Sequence, residues 1–207
     1  MQDMRYARVR FSDIERIDLI KAWAATSVAF GVYFMAASGY ANASFAAFLV
    51  FVSLAAVTAG VGFVGHELMH KFTAHHFGVE AEFRSHDTML VVSILIAFFG
   101  FIFAAPGAVQ IYGHITRREN GIISAAGPAS NMVLAALFLP LIFVQNPIVQ
   151  SIGTMGLLVN AILGAFNLIP VWNLDGAKIL GWSKPVYFSM LVIAAILVVL
   201  AYTVGLR

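Results

Sequence analysis

Residues 44–70 read SFAAFLVFVSLAAVTAGVGFVGHELMH. From Ser44 to Gly65 there is no charge, and at 1.5 Å per residue such a run matches the hydrocarbon core of a bilayer. Its far end is different. His66-Glu67-Leu68-Met69-His70 is an H-E-x-x-H sequence, in which two histidines four apart share one helix face and can reach one zinc ion. Glu67, beside the first histidine, can then reach a water bound to that zinc. Ionisable groups at the end of an apolar helix are costly unless something pairs with them, so they mark function.

The composition outward from this stretch agrees with lipid as the solvent. Apolar residues make up 61% of the 207-residue chain and charged ones 11%, with a mean hydropathy of +0.89. Soluble domains run at about 45–50% apolar and about 25% charged. A net charge of +2, scattered along the chain, excludes nucleic acid as a partner. There is no cysteine, hence no disulfide, thiolate metal site or cysteine nucleophile. Residues 1–18 contain Asp3, Asp13, Glu15 and Asp18 beside Arg5, Arg8, Arg10 and Arg16, which is too polar for a cleaved signal peptide. They read as a cytosolic tail.

Six apolar stretches are visible: Leu19–Ala37, Ser44–His70, Thr88–Ile111, Gly121–Val144, Ile148–Leu168 and Val186–Val204. No linker or repeat divides them, so 1–207 is expected to form a single membrane domain. If all six cross, with the N-terminus inside, lysines and arginines divide eight inside to four outside. If Thr88–Ile111 dips in and returns, they divide eleven to one, a far stronger positive-inside bias. Pro106-Gly107 breaks that stretch where a re-entrant segment could turn, provided the freed backbone is covered by protein or lines a wet cavity. The fold expected is an all-α polytopic membrane protein with about five transmembrane helices plus one re-entrant segment.

A catalytic zinc takes three protein ligands and one open position. With cysteine absent, the third is His, Asp or Glu. Asp175, in the polar loop after the fifth stretch, is the one acid at a membrane boundary between later helices. Alone, Asp175-Gly176 reads as a turn. Five crossings, however, bring His70 and Asp175 to the same membrane face, and six would part them. The charge distribution and the metal site therefore ask for the same parity.

These residues resemble the site-2 proteases, intramembrane zinc metalloproteases of the M50 class. Ala74 and Gly78-Val79 follow the histidine motif at the family spacing, and Ala126-Gly127-Pro128 looks like the family's Ala-Gly-Pro helix start. Asn167-Leu168-Ile169-Pro170 with Leu174-Asp175-Gly176 is similar to its Asn-Pro-Leu-Asp-Gly signature. The resemblance covers about residues 44–181, the expected catalytic core. It implies zinc held by His66, His70 and Asp175, Glu67 as general base, and Asn167 binding the substrate peptide or the oxyanion. It also implies that Ala105-Pro106-Gly107-Ala108-Val109 is an edge strand near the site, placing Pro106 and Gly107 with the substrate. Met69, where Gly is frequent, and Asn173, where Pro is common, depart from the pattern without removing a ligand. Nothing in the 207 residues suggests the PDZ domain that some members carry, so a short form is expected.

The expected activity is hydrolysis of transmembrane proteins or peptides, with the N-terminus and active site toward the cytoplasm. The alternatives are an inactive relative that binds membrane proteins, against which the intact Glu67 argues, and a metal transporter or sensor, which would not need Glu67. Gly60-Val61-Gly62-Phe63-Val64-Gly65 spells G-x-G-x-x-G but lacks the βαβ context of a dinucleotide site; the glycines suit close helix packing in lipid. His75, His76, His86 and His114 read as exposed loop residues, Asn131 and Asn160 as bonds across helices, and Trp172 and Trp182 as an interfacial belt.

Overall fold

The computed structural model describes residues 9–39, 44–102, 106–171 and 173–205. Arg5, Arg8, the loop residues Tyr40, Ala41 and Asn42, Ala105, Trp172 and Arg207 lie outside them. Helix α1 (Asp13–Ala37) is capped by Ser12, whose hydroxyl accepts from the Glu15 amide. It begins six residues ahead of the apolar run. Helices α2 (Phe45–Ala55) and α3 (Val61–His76) are joined without a break by a π-turn, Ala56–Gly60. The carbonyl of Ala56 in that turn accepts a hydrogen bond from the Trp23 indole of α1 at 3.0 Å.

Helix α3 therefore runs to His76, past the His70 expected as its end, and His75 and His76 lie on it rather than in a loop. It stops where Gly78 adopts φ +76°, a conformation that favours glycine. Gly78 N–H bonds to the carbonyl of His75 and Val79 N–H to that of Ala74. His75 is buried with neither ring nitrogen partnered; His86 and His114 are exposed, as expected.

Strand β1 (Glu80–Ser85) follows, then the short helix α4 (Asp87–Ala97), then strand β2 (Gly107–Tyr112). The strands pair antiparallel, from Glu80 opposite Tyr112 to Ser85 opposite Gly107. His86 N–H donates to the Pro106 carbonyl at 2.9 Å. Residues 86–106 thus leave and return at one point. Eleven residues of α4 extend about 16 Å, roughly half of a 30 Å hydrocarbon core. Asp87–Ala97 is too short to count among the helices able to cross a membrane. The expected edge strand is present from Gly107, with Pro106 just ahead of it and Ala105 outside the described residues, and it pairs with a second strand, β1, for which the sequence reading made no provision.

Helix α5 (Arg117–Phe138) begins at a capping box formed by Thr116 and Glu119. It starts well ahead of Ala126-Gly127-Pro128, so Pro128 is internal to the helix and is not its start. A 3₁₀ turn (Leu139–Phe143) extends it, and Asn146 caps helix α6 (Pro147–Asn167). Short helix α7 (Asp175–Trp182) and helix α8 (Lys184–Gly205) complete the chain. Among the described residues, five helical spans are long and apolar enough to cross a membrane: Asp13–Ala37, Phe45–His76, Arg117–Phe143, Pro147–Asn167 and Lys184–Val204. The molecule is an all-α polytopic membrane protein with one small hairpin.

The largest buried cluster joins α5, α6, α7 and α8 through Met132, Leu157, Leu168, Ile179, Tyr187 and Met190. Residues such as Leu137, Val192 and Val199 face outward, where lipid takes the place of a protein core. Small residues set the close crossings: a Cβ at Gly62 would collide with Asn160, and one at Gly60 with Trp23 and Ser27.

Candidate metal centre

Helix α3 presents His66, Glu67 and His70 to a cavity of about 170 Å³ whose wall also includes Val109 of β2, Asn167 of α6 and Asp175 of α7. Both histidines are buried, as are Glu67 and Asp175. Asp175 opens α7, and its Oδ2 lies 3.3 Å from His66 Nε2 and 3.2 Å from His70 Nε2. Ligands held tetrahedrally about 2.0–2.1 Å from a zinc ion stand about 3.3 Å from one another. Asp175 Oδ2 therefore stands at the spacing of a neighbouring zinc ligand from each Nε2, and among the described residues the three form the one His, Asp or Glu cluster that could hold a metal, with all donor atoms within 4.8 Å of one another.

The hydrogen bonds behind the histidines decide which nitrogens are free. Asn131 Nδ2 donates to the Gly62 carbonyl at 3.1 Å and to Asn160 Oδ1 at 3.0 Å. A carbonyl only accepts, so the Asn131 amide is oriented with Oδ1 toward His66 Nδ1, 2.6 Å away. His70 Nδ1 faces the Ile123 carbonyl at 2.8 Å. Both partners are pure acceptors. Both rings must carry their proton on Nδ1, leaving each Nε2 lone pair aimed at the metal position. Asn131 and Asn160 do bond across helices, as expected, but Asn131 also orients the His66 ring, a role its sequence context did not announce.

The Asp175 carboxylate is buried between the two rings. Its second oxygen, Oδ1, lies 3.9 Å from Lys178 Nζ, one helical turn along α7. Lys178 and Asn173 both line the cavity; the sequence marked Asn173 only as a departure from the family pattern and gave Lys178 no place in the site, for which its i+3 spacing from Asp175 was the available signal. Glycine at 127 is required by space: a Cβ there would stand 2.6 Å from His66 Nε2 and nearer still to His70.

Asn167 lines the cavity, with its amide N–H donated to the Leu163 carbonyl at 3.0 Å. Gly107 lines it too. Pro106 is buried at the foot of the hairpin, with its carbonyl engaged by His86, and is not among the lining residues. Asp87 stays exposed, paired with Lys21 at 2.7 Å; the Lys21 ammonium and then the Ser85 hydroxyl hold its carboxyl below the ordinary range.

Several curated proteins are similar in sequence. "Putative zinc metalloprotease MJ0611" of Methanocaldococcus jannaschii is 40% identical over 178 residues, covering 84% of this chain and 87% of that protein. "Putative zinc metalloprotease Rip2" of Mycolicibacterium smegmatis is 35% identical over 131 residues, or 54% of this chain and 49% of its own length. "Putative zinc metalloprotease YwhC" of Bacillus subtilis is 26% identical over 145 residues, 60% of this chain and 66% of its own. No family model matches the chain, and no solved structure does.

Proposed function

The chain belongs to the family of its zinc metalloprotease relatives, the site-2 proteases, and from that premise we propose that it hydrolyses peptide bonds in transmembrane segments of other proteins. The observation that carries this reading is the placing of Asp175 Oδ2 almost equally far from the two Nε2 atoms, with Glu67 in the same cavity wall. His66, His70 and Asp175 hold the zinc. When bound, it supplies Lewis-acid polarisation of the scissile carbonyl and a water that is nucleophilic near neutral pH.

Glu67 is the general base. It takes a proton from the attacking water as the oxygen bonds to the carbonyl carbon, and returns it to the amine as the C–N bond breaks. Asn167 retains an amide N–H and a carbonyl oxygen with which to hold the substrate backbone. A helical substrate has its amides already paired, so it must unwind before attack. The free edge of β2 offers it new partners by strand addition: the Val109 N–H, which turns away from β1, interacts with the Glu67 carboxylate.

The charge distribution supports a cytoplasmic position for the N-terminus and for the zinc site. Two spans, α5 with its 3₁₀ extension and α6, separate His70 from Asp175, which returns the chain to the same face. The test is zinc content together with cleavage of a panel of membrane-inserted peptides, wild type beside Glu67→Gln. Zinc-dependent cleavage lost in the variant is expected. A wild-type protein that binds zinc and cuts none of the panel would favour a binding role.

A further inference from the structure

Glu15 and Lys71 form an ion pair in which neither residue has any exposed surface. Lys71 follows the ligand His70 on α3. Its ammonium also donates to the Arg10 carbonyl at 2.7 Å and stands 4.2 Å from the centre of the Phe11 ring. The other oxygen of Glu15, Oε1, accepts the Phe83 N–H of β1 at 3.0 Å. One turn further along α1, Asp18 accepts from the Ser85 amide at 3.3 Å and from its hydroxyl at 3.0 Å.

Phe83 and Ser85 are alternate residues of β1, and these amides point away from β2. The outer edge of the hairpin is thus occupied by two carboxylates of α1. On the other side Phe83 is paired with Val109, whose amide meets Glu67. Glu15 therefore bonds at once to the helix that carries the metal ligands and to the sheet that faces them. Stability alone does not account for it, since replacing a buried ion pair by apolar groups of similar volume is often neutral or stabilising.

We propose that Glu15 is a positioning residue for the substrate strand. Through Lys71 and the Phe83 amide it sets the distance of the hairpin from α3, so that the free edge of β2 stands beside Glu67. With Asp18 it closes the edge of β1, so an extended segment can pair only with β2. This rests on the proteolytic reading given above.

Two neutral double variants of the full-length zinc-loaded protein test it. Glu15→Leu with Lys71→Met removes the bonds to both partners; Glu15→Gln with Lys71→Gln removes the charge and allows a bond to each partner, the amide oxygen introduced at position 15 accepting from the Phe83 amide and its NH2 donating to the amide oxygen introduced at position 71. The first is expected to raise KM for a membrane-inserted peptide about tenfold with kcat and zinc content near wild type, and the second to restore KM to within about threefold. Unchanged KM in the first variant would overturn the proposal. A second measurement needs no change at the pair. In Glu67→Gln with bound peptide, slowed amide exchange should appear at Val109 and Ile111. Protection gained at Phe83 and Ser85 instead would show pairing on the wrong edge and sink the idea. Absence of any cleavage by wild type would overturn the proteolytic reading itself, and this proposal with it.

Discussion

Asn131 of α5 and His66 of α3, 65 positions apart in the chain, meet through an amide oxygen and a ring nitrogen 2.6 Å apart. Asn131 is fully buried, and its other contacts reach Gly62 and Asn160, so one side chain joins a metal ligand to α6. Outer partners of ligating histidines are worth about 10–100-fold in metal affinity. Asn131→Ala is expected to weaken zinc binding by about that factor, measured by competition with a chromophoric chelator. Wild-type affinity would mean that the backbone alone orients His66.

Glu67→Gln should abolish cleavage while leaving zinc content nearly unchanged, because the residue after the first histidine acts on the water and is not a ligand. Hydrolysis and metal content on the same purified sample decide it. Zinc lost together with activity would make Glu67 a ligand.

Asp175→Ala should deplete zinc far more than Asp87→Ala. The first removes one of three converging donors; the second removes an exposed partner of Lys21, in a surface pair screened by solvent. Equal metal content in the two variants would take Asp175 out of the site.

Gly127→Ala tests the space between the histidines. The added methyl would intrude on both Nε2 atoms, so zinc occupancy should fall while the helical circular dichroism spectrum is retained. A fully loaded variant would show that α5 stands further from α3 than described.

Topology is open to single cysteines in this cysteine-free chain. Glu80, His114 and Gln145 are all exposed. With an impermeant thiol reagent on intact cells, cysteine at Gln145 should react while those at Glu80 and His114 are protected. Reaction at His114 without reaction at Glu80 would mean that residues 86–106 cross the membrane.

The spans and the convergence of His66, His70 and Asp175 were legible because hydropathy and an i, i+4 histidine pair are strong local signals, and parity linked them to Asp175. The strand β1 was legible in principle: Glu80, Glu82 and Arg84 alternate with Ala81 and Phe83, a period of two, but six residues beside a long apolar run are easily passed over. Glu15 and Asp18 read from sequence as part of a cytosolic tail, and Lys71 as a charge with no role of its own, since charge ordinarily signals water. What buries them is a set of partners 56 to 68 positions away, which no local pattern encodes. The same holds for His75, whose place on α3 followed from the helix continuing to Gly78.

The π-turn at Ala56–Gly60 is in effect one extra residue wound into a straight rod. Each residue advances an α-helix by about 100°, so the turn gives the two halves of the span an angular offset that neither half could supply alone. On the near side Phe45, Leu49 and Val50 look outward; on the far side His66 and His70 look toward Asp175. Deleting one residue there would twist these two directions against each other by about 100°. The indole of Trp23, bonded to the Ala56 carbonyl, acts as the pin that holds this phase.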